Sequence, residues 1–340
     1  MPSSPNLVVL GLSVLLTSLP AARPLCAADP IQKVWESTPF NEVAYGLAAS
    51  PSGKQFAIAG RLGTIVVFDT ESQKVIKQIE PDNQFILAMR YSPDSSVLAA
   101  VGPKQLVLYR TDNWKQLRAI NLPARCGYLS FHPTRPWIAV AGQGTSLDIY
   151  DVVDQKIARS FKADLSNAQG VQFSKDGRYL YASVTNAVVG SPAYVLRRYD
   201  LQTDAMDGFS YIGDTQARRV ILSPDGESLL VNVPQDGASV LFKEVLTHIM
   251  HVRHQWQANT EIKMGTAFLP DGKSILTARQ GQFDIWQPGK KEPIASIPSD
   301  DAGSAYEIVP IPGTRDYLMC HERSFRQITR WRTSEEPLSP

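Results

Sequence analysis

The chain has 340 residues, of which 43% are hydrophobic, so it is long enough to bury a substantial core. Its 34 Lys and Arg residues nearly balance 33 Asp and Glu residues, which leaves a formal net charge of +1. A chain without excess charge has no global field to attract polyanions, so nucleic acid is not expected as the main partner.

The first 28 residues are organised like a secretory signal peptide. The apolar run from Leu7 to Leu19 is too short to span a bilayer, which takes about 20 apolar residues. Small residues follow this run, and Cys26-Ala27-Ala28 is a plausible cleavage site before Asp29. The segment before the apolar run lacks Lys and Arg, so an uncleaved anchor is the main alternative, and Cys26 leaves a lipoprotein as a lesser one. We predict cleavage after Ala28, a periplasmic or secreted mature protein, and no membrane span once the leader is removed.

The rest of the chain repeats one pattern of four short predicted strands. In residues 44–80, strand-length runs rich in Val, Ile and aromatic residues are interrupted by Gly, Pro, Ser and Asp, as is typical of a β-meander. Two markers recur seven times. One is a turn, usually containing Pro, at 50–53, 92–95, 132–135, 174–177, 223–226, 269–272 and 311–313. The other is an aromatic residue 41 to 49 positions after the previous one: Phe68, Tyr109, Tyr150, Tyr199, Phe242, Trp286 and Trp331.

A four-stranded repeat of about 40 to 45 residues is what a blade of a β-propeller requires. The aromatic-Asp pairs at 68–69, 150–151 and 199–200 resemble the Trp-Asp of WD40 repeats, and Ser-Pro-Asp-Gly at 223–226 is similar to the YVTN-type repeats of bacterial surface propellers. The resemblance covers residues 31 to about 334. No repeat has the Gly-His pair that precedes the first strand in WD repeats, which leaves the hydrogen-bond tetrad of that family open and the fold unaffected.

The sequence therefore predicts an all-β protein, a seven-bladed β-propeller with four-stranded antiparallel blades, spanning residues 29–340 as a single domain. The seventh repeat has no fourth strand, because residues 332–334 lead directly into a polar, Pro-containing tail. Residues 31–37 are strand-like and precede the first repeat, so we predict that they complete the last blade and remove its open edge. The predicted blades are 44–80, 86–121, 126–163, 168–210, 217–257, 263–298, and 304–334 with strand 31–37.

Removal of the leader leaves two cysteines, Cys126 and Cys320. An even pair in an oxidising compartment could form a disulfide. The two residues fall in the third and seventh blades, which are not neighbours, whereas a bridge needs Cα atoms within roughly 7 Å. Two separate buried thiols are therefore favoured.

Antiparallel blades place the inter-blade connections and the loops between second and third strands on one face, which we call the connection face. Loops on a rigid scaffold are the default recognition surface. Residues at the start of the innermost strands, with nearby loop arginines, should surround the mouth of the central channel there, and they include aromatic and Arg residues favoured at binding hot spots. The predicted partner-binding or ligand-binding residues are Tyr45, Arg61, Arg125, Tyr128, Gln169, Arg218, Arg219, Arg279, Tyr306, Glu307 and Arg323.

The densest cluster of potential metal ligands is His248, His251 and His254. In a strand, His251 and His254 point to opposite faces, and no Cys or carboxylate accompanies them at ligand spacing. An exposed blade edge is the favoured interpretation, and no metal is predicted. No sequence motif of a known catalytic site or phosphate-binding loop is present, so no catalytic residue and no cofactor is assigned. His132, in place of Ser before a marker Pro, is interpreted as a turn residue.

The function predicted is that of an exported, non-enzymatic scaffold that binds another protein or a small ligand through the connection face. The alternative is a propeller hydrolase, similar to the lactonases related to YVTN-type repeats, with its site at the channel mouth. Such a site would draw its groups from several blades, which sequence spacing does not reveal. A third possibility is one component of a larger envelope assembly.

Overall fold

Short runs rich in Val, Ile, Leu and Ala, interrupted by Pro and Gly, form antiparallel strands throughout the described chain. The computed structural model describes residues 31–37, 44–60, 62–80, 85–144, 146–162, 165–186, 193–213, 219–235, 239–258, 265–279, 281–299, 305–321 and 328–334. The predicted signal peptide lies outside these residues. Within them the structure has strands and turns but no helix, and therefore no helix that could cross a membrane.

Seven four-stranded antiparallel sheets form the blades of a ring. The first and second blades comprise β2 (Ala44–Ala49), β3 (Gln55–Gly60), β4 (Ile65–Asp69), β5 (Val75–Ile79), and β6 (Ala88–Tyr91), β7 (Val97–Val101), β8 (Gln105–Arg110), β9 (Gln116–Asn121). The third and fourth comprise β10 (Cys126–Phe131), β11 (Trp137–Gly142), β12 (Ser146–Asp151), β13 (Lys156–Lys162), and β14 (Leu165–Phe173), β15 (Tyr179–Asn186), β16 (Ala193–Asp200), β17 (Ala205–Gly213).

The fifth and sixth blades comprise β18 (Arg219–Leu222), β19 (Ser228–Gln235), β20 (Ser239–Leu246), β21 (His251–Ala258), and β22 (Thr266–Phe268), β23 (Ile275–Arg279), β24 (Gln282–Trp286), β25 (Ala295–Pro298). The seventh contains β26 (Ala305–Pro310), β27 (Asp316–His321), β28 (Ile328–Thr333) and the N-terminal strand β1 (Ile31–Glu36). The first strands of neighbouring blades contact one another, as β2 does with β6 and β26, so they line the centre of the ring. The predicted all-β, seven-bladed architecture is confirmed.

The N-terminal strand closes the ring as predicted. β1 pairs antiparallel with β28, from Ile31 opposite Thr333 to Glu36 opposite Thr329. The Ser37 amide extends the pairing by donating to the Ile328 carbonyl at 2.9 Å. Side chains add to it, because Trp35 packs edge-on against two phenylalanines of the first blade, with ring centroids 5.6 and 5.5 Å away. The strand therefore completes the seventh blade and packs against the first.

The marker turns are held by a repeated set of side-chain hydrogen bonds. In the fourth blade, Ser174 Oγ accepts the Tyr179 amide at 2.8 Å and donates to Asp176 at 2.6 Å. Asp176 also accepts the Arg178 amide at 3.0 Å, and Gly177 adopts a positive φ of 75° that favours glycine. Ser, Asp and Gly therefore each have a separate part in the turn. The same serine contacts form at Ser92 and Ser223.

His132 occupies the serine position of the third blade and joins it to the fourth. Its Nδ1 accepts the amides of Thr134 and Arg135 at 3.1 and 2.9 Å, so the ring proton lies on Nε2. Nε2 then donates to the Gly177 carbonyl at 2.9 Å. Burial lowers the pKa of His132, which keeps the ring neutral and able to accept at Nδ1. His132 is thus a turn residue, as expected, and the structure shows that it is buried.

Hydrophobic cores fill the spaces between neighbouring blades. One cluster joins Leu147 and Ile149 of the third blade to Phe173 and Leu180 of the fourth. The described marker aromatics are all at most 7% exposed: Phe68, Tyr109, Tyr150, Tyr199, Trp286 and Trp331. Burying a side chain of this size contributes about 1.5–3 kcal/mol, which explains why an aromatic recurs at this position.

Cys126 and Cys320 are free, buried thiols in separate blades, which confirms the interpretation favoured by the sequence. Burial raises the pKa of Cys126 to about 11 and that of Cys320 to about 12. Since the thiolate is the reactive form, both groups are protected from oxidation and exchange.

Deleting residues 29–38 should destabilise the protein by about 3–6 kcal/mol, because it removes a strand, its ladder of hydrogen bonds and the Trp35 packing. The free energy of unfolding in urea measures this effect. Gln32→Ala, at an exposed position of the same strand, is the matched control and should lie within about 0.5 kcal/mol of wild type. An unchanged midpoint for the deletion would contradict the role assigned to β1.

His132 should make stability pH-dependent. Its pKa is lowered in the folded state, so the unfolded chain takes up a proton at higher pH, and folding free energy is lost as pH falls below about 6.5. The loss is at most about 1.4 kcal/mol per pH unit. His132→Ser should flatten the decline in unfolding free energy between pH 7 and pH 5, whereas His248→Ser, at an exposed turn, should retain it. Identical pH profiles for wild type and His132→Ser would refute this account.

Candidate binding face

The inner strands start at the connection face, where the sequence predicts the binding residues. Tyr45, Arg219 and Tyr306 are placed by their backbones in β2, β18 and β26. Arg61, Arg218 and Arg323 lie outside the described residues. The side chains of the other five predicted residues are described below.

Glu307 is a buried carboxylate that links three blades. It is 8% exposed and accepts the Leu47 amide of the first blade at 3.2 Å. Its other oxygen lies 3.6 Å from Nη1 of Arg90 in the second blade. Glu307 is thus held by the first and second blades at the inner edge of the ring, and Arg90, 46% exposed, is the more accessible member of the pair.

Arg279 ends β23 and forms an ion pair within the sixth blade. Its Nε donates at 2.8 Å to Asp284, whose side chain is 1% exposed. Asp284 also accepts Ser296 Oγ at 2.6 Å and Gln282 Nε2 at 2.5 Å. The sequence placed Arg279 in a loop near the rim; cross-strand pairing with Gln282 instead holds it over a buried carboxylate.

The remaining predicted residues differ in exposure. Tyr128 is half-buried against the core between the third and fourth blades. Gln169 is also half-buried, and its carbonyl accepts Ser183 Oγ at 2.7 Å. Arg125 is exposed in the connection before β10, where its carbonyl accepts the Gln143 amide at 2.8 Å. Of these three, Arg125 presents the most accessible side chain.

A cavity of about 250 Å³ lies beside Arg125 in the third blade. The connection before β10 and the loop after β11 form its outer walls, so it belongs to the connection face. Its polar lining includes Cys126, Ser146, Asp148 and Tyr150, with Gly142 on the opposite strand. Sequence reasoning missed this cavity, because its walls come from three strands whose register the sequence alone does not define.

The electrostatics of the cavity depend on one carboxylate. Asp148, 8% exposed, accepts Ser160 Oγ at 2.7 Å and Ser146 Oγ at 3.3 Å. Burial first, and then the charge of Asp148, raise the pKa of Cys126 to about 11 and that of Tyr150 to about 12. Both groups are therefore neutral at pH 7, and the thiol is not an activated nucleophile. This arrangement can bind a ligand through charge and hydrogen bonds rather than attack it.

The histidine cluster occupies the edge of the fifth blade, as predicted. His248 lies in an exposed turn, and His251 and His254 lie on the outermost strand β21. Cross-strand pairing brings Glu244 opposite His254, with Nδ1 and Oε2 2.6 Å apart, a contact that sequence spacing did not reveal. Within the described ranges, no three His, Cys, Asp or Glu residues are grouped to hold a metal ion.

A comparison with models of protein families gives no match, and neither does a comparison with curated proteins. Solved structures do match. The β-propeller domain of Cps50 (Swd1) from Myceliophteria thermophila is 14% identical and has a TM-score of 0.74, with 90% of this chain and 100% of that one covered. A chain of the mitotic checkpoint complex is 15% identical with a TM-score of 0.74, covering 97% of this chain and 100% of that one. At these identities the likeness establishes the fold alone, and that fold is the seven-bladed β-propeller.

Proposed function

We propose that the protein is an exported, non-enzymatic propeller scaffold that binds another protein or a small ligand through the connection face. The observation that carries the proposal is the third-blade cavity on that face, which is preformed and is lined by a buried carboxylate and two groups that stay protonated at pH 7. A cavity with these properties suits recognition.

Rigidity supports the same function. The blades are joined at their turns, where Ser52 donates its amide to Ser95 Oγ at 3.0 Å and His132 donates to the Gly177 carbonyl. A surface on such a frame loses little conformational entropy when it binds, so more of its contact energy appears as affinity.

The similar structures are consistent with protein binding. One of them is part of a multi-protein assembly, the mitotic checkpoint complex. That membership is a property of the other protein, and it supports the proposal only through the shared fold.

Hydrolysis of the lactonase type receives no support from the cavity. A hydrolase needs a nucleophile or a general base poised near pH 7. The Cys126 thiol and the Tyr150 phenol, with pKa values raised to about 11 and about 12, provide neither. We therefore place binding ahead of catalysis.

Export remains part of the proposal and rests on the leader sequence. The buried cysteines support it indirectly, since buried, protonated thiols tolerate an oxidising compartment. Expression of the full chain in a bacterial host should give a periplasmic or secreted product whose N-terminal residue is Asp29. Mass spectrometry of the intact protein measures this, and a cytoplasmic product that retains Met1 would overturn export.

Affinity capture from an extracytoplasmic extract tests the binding face. The bait is residues 29–340, compared with a variant in which Arg218, Arg219, Tyr306 and Arg323 are changed to Ala. We expect a protein retained by wild type to be reduced about tenfold or more on the variant, which is the effect of losing about 1.4 kcal/mol at a hot spot.

The matched control for capture changes Lys54, Glu227 and Lys273 to Ala, all exposed on the opposite face. This control should retain the same protein as wild type. Equal retention by all three baits would refute the choice of face. Retention of nothing would count against a protein scaffold and favour a small ligand.

A further inference from the structure

The third and sixth blades carry the same buried acidic motif. In each, an Asp stands two positions before the marker aromatic: Asp148 before Tyr150, and Asp284 before Trp286. Each Asp pairs with a serine of the fourth strand, and the hydroxyls of Ser160 and Ser296 donate to the carboxylates at 2.7 and 2.6 Å. In both blades, a serine hydroxyl of the fourth strand thus stabilises the buried carboxylate.

The blades differ in the cation that accompanies the carboxylate. In the sixth blade, Asp284 pairs with Thr277, and two residues further along β23 Arg279 donates to the carboxylate at 2.8 Å. In the third blade, Asp148 pairs with Val140, so the position equivalent to Arg279 is Gly142. Within the part of the chain that the structure describes, Asp148 has two serine donors and no ion pair.

The backbone leaves no room at position 142 for a side chain such as arginine, which could pair with Asp148. A Cβ atom built on Gly142 would lie 2.1 Å from the Arg125 carbonyl oxygen, a clash with backbone. The cavity of about 250 Å³ lies against Gly142, Ser146 and Asp148, which are the counterparts of Arg279, Gln282 and Asp284. The third blade thus has open space where the sixth has an arginine side chain.

The walls of this cavity lack a positive charge and have spare hydrogen-bonding capacity. Asp148 is 8% exposed, and a buried carboxylate without a cation is unfavourable unless it is fully hydrogen-bonded. Tyr150 lines the same cavity at 7% exposure, and its hydroxyl has no hydrogen-bond partner among the described residues. A donor-rich cation placed in the cavity would satisfy both groups at once.

We propose that the third-blade cavity binds the guanidinium group of an arginine side chain from a partner protein, as Arg279 is bound in the sixth blade. A planar guanidinium offers five N–H donors, enough for the carboxylate and the adjacent hydroxyl oxygens at once. The volume suits a single side chain, since pockets for drug-sized ligands start at about 300 Å³. The inference rests on the proposed function, because it identifies the partner group that the connection face receives.

Titration of residues 29–340 with short capped peptides tests the proposal. The probes are acetyl-Gly-Arg-Gly-amide and its analogues with Lys or citrulline in place of Arg, with binding followed by calorimetry. We expect the Arg peptide to bind about tenfold or more tightly than the citrulline peptide, which is isosteric but uncharged, and more tightly than the Lys peptide. Equal binding of all three would overturn the proposal.

Asp148→Asn should weaken binding of the Arg peptide about tenfold or more. Asp154→Asn, which removes an exposed carboxylate from a turn of the same blade, is the matched control and should bind like wild type. Thermal denaturation establishes that each variant is folded. A folded Asp148→Asn protein that binds like wild type would refute the site.

If Asp148→Asn does not fold, NMR amide spectra of the wild-type protein locate the binding site instead. The Gly142 and Gly144 resonances should shift on addition of the Arg peptide, whereas Gly281, in the corresponding loop of the sixth blade, should not. Shifts elsewhere alone would overturn the proposal.

The outcomes separate this inference from the proposed function. If the Arg peptide does not bind, yet capture retains a protein that the rim variant loses, the scaffold stands and the arginine site falls. If free arginine binds more tightly than the capped peptide, the guanidinium site stands, but its source is a small molecule rather than a protein partner.

Discussion

The pairing of β1 with β28 is the constraint on which the other features depend. It joins Ile31 to Thr333 and thereby closes a loop of almost the whole described chain, at an entropic cost that grows only slowly with loop length. The side chains reinforce this closure. Arg330, beside Trp35 in the register, is held by Asp316 at 2.6 Å and donates to the Thr70 carbonyl of the first blade, also at 2.6 Å. The core between the seventh and first blades forms only when the ring is complete.

The face opposite the candidate site is stiffened by a second set of contacts between blades. Lys175 donates to the Pro224 carbonyl at 2.9 Å, and the turn at Gly53 lies so close to Pro312 that a Cβ atom would be 2.4 Å from its carbonyl oxygen. Together with the His132 contact, these links fix the turns relative to one another. These contacts hold neighbouring blades together on the face opposite the cavity.

The sequence predicts the fold well because its signals are local and repeated. A Ser-Pro-Asp-Gly turn or a marker aromatic reports on its own blade, and the missing fourth strand of the last repeat identifies the role of residues 31–37. The site is harder to predict, since it depends on register. The surroundings of Asp148 and Asp284 differ at the residue two positions beyond the cross-strand partner, which is Gly142 in the third blade and Arg279 in the sixth. The cavity occupies the space of the side chain that Gly142 lacks. Glu307 likewise meets Leu47 across 260 positions of sequence, which no spacing rule relates.

The closure of the ring also sets an order of events during synthesis. β1 is made first, but its partner β28 is completed only when Thr333 has left the ribosome. Until then the first and last blades each lack a neighbour, and the seventh lacks its outer strand. Because domains emerge and fold from the N-terminus at about 5–20 residues per second, the chain passes some tens of seconds with an open edge. Because β1 pairs with the last strand of the chain, the propeller can complete its folding only after the seventh blade has been made.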